Sequence, residues 1–216
     1  MPQQIDWEAF VITVVVLIVS ITLHEFGHAI SADRLGDDTP RRQGRVTLWP
    51  DKHFDPLGFI MILVTSFFGY GIGWGKPVMV DYRNFRNERT ADIIVTSCGP
   101  LMNLLLAVVF GLILRIALMT GHMFNPDALW VKFAFDFVTI NLSLMFFNLL
   151  PIFPLDGSHI ARRLLAPSIG EPFYRFMVQW GPIILMLAIF SGSRILGTII
   201  GPAVLKMTEL IIGLPA

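Results

Sequence analysis

The sequence predicts an all-α polytopic membrane protein with about five or six transmembrane segments. Three observations carry this: 54% of the 216 residues are hydrophobic, only 15% are charged, and the mean hydropathy is +0.66. These values lie outside the range of a soluble globular domain. Formal net charge is zero, so nothing in the balance points to nucleic acid. A single cysteine, Cys98, excludes an internal disulfide and a cysteine-rich metal site. The expected organisation is one membrane-embedded domain over residues 1–216, a core at 7–163 and C-terminal helices at 176–214, with no repeat and no appended soluble domain.

The first apolar run, Trp7 to Ser31, is hydrophobic on every side from Ala9 to Leu23 and long enough to cross a bilayer. Met1 to Glu8 holds no Lys or Arg, unlike the start of a cleavable signal peptide, so this run is expected to remain as a helix. The second run, Leu57 to Trp74, contains Gly58, Gly69, Gly71 and Gly73, with Gly75 just beyond. Arg34, Arg41, Arg42, Arg45 and Lys52 precede it, and Lys76, Arg83, Arg86 and Arg89 follow. The positive-inside rule places both basic loops in the cytoplasm, so the run should dip in and return as a re-entrant, β-like loop between the first and second core helices. The alternative is an ordinary glycine-rich span flanked by a mis-signed loop.

The third run, Ile93 to Met119, then leads outward to a short external turn at Gly121 to Asp127, which holds His122. The fourth, Leu129 to Leu150, returns inward, and Trp7 and Trp130 both fall at the outer interface, where indole rings prefer to sit. A loop with Arg162, Arg163 and Arg175 follows on the inner side. Phe176 to Phe190 and Ile195 to Leu214 complete the set, joined by a tight external turn at Ser191 to Arg194. Lys206 and Glu209 in the last run mean that it either packs inward or lies at the interface.

The chemistry sits at the end of the first run, in His24, Glu25, Phe26, Gly27 and His28. Residues four apart share a helix face, so the two imidazoles can reach one metal with Glu25 beside them as a general base. Two histidines leave a tetrahedral zinc short of a third protein ligand. Asp156 is the candidate, because Pro151 and Pro154 break the fourth helix just before it, and a carboxylate between Leu155 and Gly157 needs a cationic partner. Its alternative reading is a helix cap. His53, just before the re-entrant run, is a gate candidate, and His159 either orients Asp156 or faces the cytoplasm; neither is taken as a ligand. Cys98 reads as a small helix-packing residue.

These motifs in this order resemble the site-2 protease family of intramembrane zinc metalloproteases, in its compact branch without a PDZ domain. The resemblance rests on HEFGH, on Gly99, Pro100, Leu101, Met102 and Asn103 opening a second core helix, and on the run Asn148 to Gly157. It extends to Gly73 through Val78 and to Asn84 through Asn87. It implies a multi-pass protein of the cell membrane that cuts the transmembrane segments of membrane-anchored proteins. Its expected partners are a single-pass substrate and the lipid bilayer.

The expected mechanism uses one Zn2+ per chain held by His24, His28 and Asp156, with Glu25 moving the proton. Asn148 is the candidate for a further donor near the oxyanion, since an amide donates without titrating; the resemblance implies a role for it as well. Its alternative is an interhelical hydrogen bond, and Asn103 is expected to pack helices or orient a ligand. The extended stretch Lys76 to Asp81 offers backbone groups to an unwound substrate strand. No GxSG or GxGD pattern occurs, which leaves intramembrane serine and aspartyl proteases without support. The rival from another class is a metal-ion transporter using the same His and Asp groups.

Overall fold

The computed structural model describes residues 6–68, 73–121, 125–190 and 194–213. Gly69, Gly71, His122 and the turn expected from Ser191 lie outside the described residues. Eight α-helices are present among them: α1 Trp7–Arg34, α2 Thr39–Arg42, α3 Pro56–Phe68, α4 Glu88–Thr120, α5 Leu129–Asn148, α6 Asp156–Leu164, α7 Pro167–Phe190 and α8 Arg194–Ile212. Five of these, α1, α4, α5, α7 and α8, are long and apolar enough to cross a membrane. The chain is an all-α integral membrane protein, and no strand occurs among the described residues, so the β-like part of the expected loop is irregular backbone.

The helix ends follow local rules. Asp6 caps α1 by accepting from the Ala9 amide at 3.0 Å, and Asn87 caps α4 by accepting from Thr90 at 3.2 Å. Gly121 ends α4 in the left-handed region, with φ 65°. Helix α5 stops at Asn148 because a helical Pro151 would clash with the carbonyl of Phe147.

Helices α1, α4 and α5 form the centre. Ile12 and Val16 of α1 pack on Phe137 of α5, and Phe137 stacks on Phe110 of α4 with ring centres 4.0 Å apart. Gly27 lets α1 approach the Cys98 carbonyl of α4 closely. Helix α8 packs on α4 and α5 through Val204 and Ile212, and α7 packs against α6 and α8.

Helix α3 has 13 residues, roughly 20 Å at 1.5 Å per residue, against a hydrocarbon core of about 30 Å. The chain then comes back along it. Gly73 lies against Ile62 and Trp74 against Gly58; Trp74 Nε1 donates to Asp55 at 3.1 Å, and the Lys76 amide donates to the His53 carbonyl at 2.7 Å. The two limbs therefore run antiparallel, and both ends of the segment sit together on one side of the bundle.

Buried Asp37 fastens the end of this return to the end of α1. Its Oδ1 accepts from the Thr39 hydroxyl at 2.6 Å, the Thr39 amide at 3.1 Å and Asn84 Nδ2 at 2.7 Å; its Oδ2 accepts from the Asp81 amide at 2.8 Å. Burial alone would raise its pKa, but the bonds from Thr39, Asn84 and Asp81 outweigh burial and hold the carboxyl below its ordinary value. A folded-state pKa below the unfolded one contributes stability that is present at neutral pH and lost as pH falls through and below about 4. Asp37→Ala should cost on the order of 2–4 kcal/mol, because it leaves several buried donors unpaired. Hydrogen exchange at residues 78–85 should rise in that variant at pH 7, and in the wild type only under acid.

Two expectations are corrected. Helix α7 begins at Pro167 rather than Phe176, and Arg162 and Arg163 lie on α6 instead of in a loop. Most of the charges in these stretches are paired across elements, Arg162 with Glu171 at 2.8 Å and Arg163 with buried Asp92 at 2.5 Å. Hydropathy registers the charges and not the pairing.

Candidate active site

His24 and His28 lie one turn apart on α1, and Asp156 is the first residue of α6. The structure brings the three together. His24 Nε2 and His28 Nε2 are 3.1 Å apart, and Asp156 Oδ2 lies 3.3 Å and 3.4 Å from them. A tetrahedral zinc with bonds of about 2.0–2.1 Å has ligand-to-ligand edges of roughly 3.3–3.4 Å. The three atoms therefore outline one face of such a tetrahedron.

Protonation makes the same point. His24 Nδ1 is 2.7 Å from Asn103 Oδ1, and His28 Nδ1 is 2.8 Å from the Val95 carbonyl. Asn103 presents oxygen to His24 because its Nδ2 donates to Asn141 Oδ1 at 2.9 Å. Asn141 in turn donates to Ser20 Oγ and to the Phe137 carbonyl. Both Nδ1 atoms thus have an acceptor for their proton, which leaves each Nε2 able to offer a lone pair to a metal. Asp156 Oδ2 is buried and accepts no hydrogen bond from the described residues. Two imidazole nitrogens and a carboxylate oxygen converging within 3.4 Å of one another form a donor set that suits zinc.

Glu25 stands beside this cluster, its side chain 12% exposed and its Oε2 3.7 Å from Arg45 Nη2. The cluster opens on a cavity of about 600 Å³ whose lining includes Glu25, Val78, Phe147, Asn148 and His159. Asn148 lines it, with Nδ2 donating to the Leu144 carbonyl of its own helix at 2.9 Å. His159 bonds Tyr174 at 3.1 Å and lies 3.9 Å from Asp92, away from the ligand triangle. His53 is fully buried and bonds the Thr47 carbonyl at 2.8 Å, which makes it a brace of the loop before α3 rather than a gate.

Gly99 constrains both imidazole rings directly. A β-carbon there would fall on His28 Nε2 and 2.8 Å from His24 Cε1. Both rings are already held through Nδ1, so they cannot step aside without losing those bonds. Gly99→Ala should weaken zinc binding by at least about 100-fold, the upper end of what a lost outer-shell partner costs. A competitive zinc titration against a chelating dye measures this.

Three participants escape the sequence reading. Asn141 had a usable signal, a polar side chain in the middle of an apolar run. Ser20 had the same signal in weaker form. Arg45 had none, because in a linear reading it is one more basic loop residue.

The profile of peptidase family M50 matches residues 116–190, a stretch that holds Asn148 and Asp156 but not His24 or His28. The candidate zinc metalloprotease YwhC of Bacillus subtilis is 41% identical over 162 residues, 72% of this chain and 70% of that protein. The candidate zinc metalloprotease Rip2 of Mycolicibacterium smegmatis is 29% identical over 190 residues, covering 85% of this chain and 68% of its own length. Rip2 of Mycobacterium tuberculosis is 34% identical over 170 residues, covering 74% and 62%. No solved structure matches the chain. With the ligand triangle set among five apolar helices and similarity to YwhC along most of both chains, the protein belongs to peptidase family M50, the site-2 proteases, and is a zinc metalloprotease.

Proposed function

We propose that the protein is an intramembrane endopeptidase that cuts a transmembrane segment of a single-pass substrate, with zinc held by His24, His28 and Asp156. The observation that carries this is the ligand triangle with 3.1–3.4 Å edges at the end of an apolar membrane helix. From Trp7 to His24 is roughly 26 Å of helix, so the site lies toward the far side of the bilayer from the N-terminus. The basic residues of the loops around α2 and before α4 share that side, which supports a site near the cytoplasmic face of the cell membrane.

His24, His28 and Asp156 would hold zinc, which would supply Lewis acidity and a water acidic enough to lose a proton near neutral pH. Glu25 takes the proton from the attacking water and returns it to the leaving amine. Asn148 lines the same cavity, and the Nδ2 proton not given to Leu144 would donate toward the oxygen on which charge develops. Val78 to Val80 make no backbone hydrogen bond to the described residues, while Lys76 and Pro77 are anchored by Arg45. An extended edge of this kind suits pairing with a locally unwound substrate.

The test is cleavage of a transmembrane reporter by the purified protein in liposomes. Cleavage that stops with 1,10-phenanthroline and returns with zinc is the expected result. An intact reporter, together with zinc flux that depends on His24, would establish the transporter instead; no second metal-ligand cluster occurs among the described residues.

A further inference from the structure

Arg45 is 3% exposed, yet its guanidinium is always charged and costly to bury without partners. The loop that carries it contributes only a backbone bond, from the Arg45 amide to the Pro40 carbonyl at 2.8 Å. The side chain instead reaches the active site. Nη2 donates to the Lys76 carbonyl and lies 3.7 Å from Glu25 Oε2, and Nη1 donates to the Pro77 carbonyl at 3.3 Å. Its Nε, though buried, has no acceptor among the described residues, so the group is placed for the far end of its fork rather than for its own satisfaction. Gly75, next in the chain, leaves Glu25 room to meet it: a β-carbon there would sit 3.0 Å from Glu25 Oε1.

We propose that Arg45 is a positioning residue that holds the Glu25 carboxylate and the 76–77 backbone in one fixed relation. The inference rests on the reading of Glu25 as the base. One planar cation touches the group that moves the proton and the segment on which a substrate strand would lie, so the peptide bond and the base are set in register by the same side chain. A lysine is a point charge on a flexible stem and cannot span these three acceptors together.

The experiment compares wild type, Arg45→Ala, Arg45→Lys and Glu25→Gln, all zinc-loaded in liposomes, for zinc content, kcat and KM on the transmembrane reporter. Arg45→Ala is expected to keep its zinc and lose about 100-fold in kcat, the scale of an ångström-level misplacement. Arg45→Lys should recover less than about tenfold of that loss, since its ammonium lacks the fork. Millimolar ethylguanidinium should raise the rate of Arg45→Ala and leave wild type and Glu25→Gln unchanged. A kcat within twofold of wild type overturns the proposal. So does a loss that comes with loss of zinc and does not respond to ethylguanidinium, which marks a purely structural residue. If Arg45→Ala fails to insert, Arg45→Lys decides: wild-type kcat overturns the proposal, and a loss of at least about tenfold with zinc bound upholds it. If Glu25→Gln cleaves like wild type, the reading of Glu25 fails, and that outcome is separate from any result at Arg45.

Discussion

Glu25→Gln is expected to keep zinc bound and to lower cleavage of a transmembrane reporter by roughly 10²–10⁴-fold, the range for loss of a positioned general base. The ligand triangle is made by His24, His28 and Asp156 without Glu25, so the substitution removes no metal donor. Glutamine keeps the shape of the side chain, and its amide still faces Arg45 and Gly75. What it lacks is a basic oxygen to accept the proton of the attacking water. Zinc content and cleavage, measured on the same preparation, separate metal loss from loss of the base. Unchanged cleavage would remove Glu25 from the mechanism.

Asp156→Ala should lose both zinc and activity. It leaves two imidazoles and an apolar surrounding, so zinc affinity should drop by more than the roughly 10–100-fold that an outer-shell substitution costs. The fold should survive. Helix α6 stays docked through Arg163, which bonds buried Asp92 at 2.5 Å and whose carbonyl accepts from Arg89 at 2.8 Å. Neither of these two bonds involves Asp156. Thermal unfolding of the metal-free variant should therefore match that of metal-free wild type. A variant that binds zinc as wild type does would show that the third ligand lies elsewhere.

The parts of this site that can be read from the letters are those whose chemistry conflicts with their setting. Two histidines and a glutamate at the end of an apolar helix, and an aspartate after a proline-broken one, are expensive in a membrane unless they serve a purpose. The short helix α3 and its return were legible from glycine content and the basic residues on both flanks. The antiparallel contacts from Ile62 with Gly73 to His53 with Lys76 are what turn that pattern into a hairpin.

What stayed hidden depends on pairing across the chain. Helix α6 reads as a charged loop until Arg162 meets Glu171 and Arg163 meets Asp92. Asp37 looks like any acidic residue after a helix, and only the approach of Asp81 and Asn84 makes it a fastening point. Asn103 was expected to pack helices or orient a ligand, and it orients His24 through a relay that includes Asn141, 38 residues further on. Arg45 belongs to the same class. Its meaning comes from Glu25 and Pro77, which no local pattern connects to it.

The central claim is that one zinc is held jointly by the HEFGH helix and Asp156. Zinc K-edge X-ray absorption on the zinc-loaded Glu25→Gln protein tests it most directly, because that variant should hold the metal without turning over substrate. The predicted first shell contains two imidazole nitrogens and oxygen donors at about 2.0–2.2 Å, with imidazole multiple scattering from two rings. A sulfur scatterer near about 2.3 Å, which would implicate Cys98, or a shell with more than two imidazoles, would contradict it.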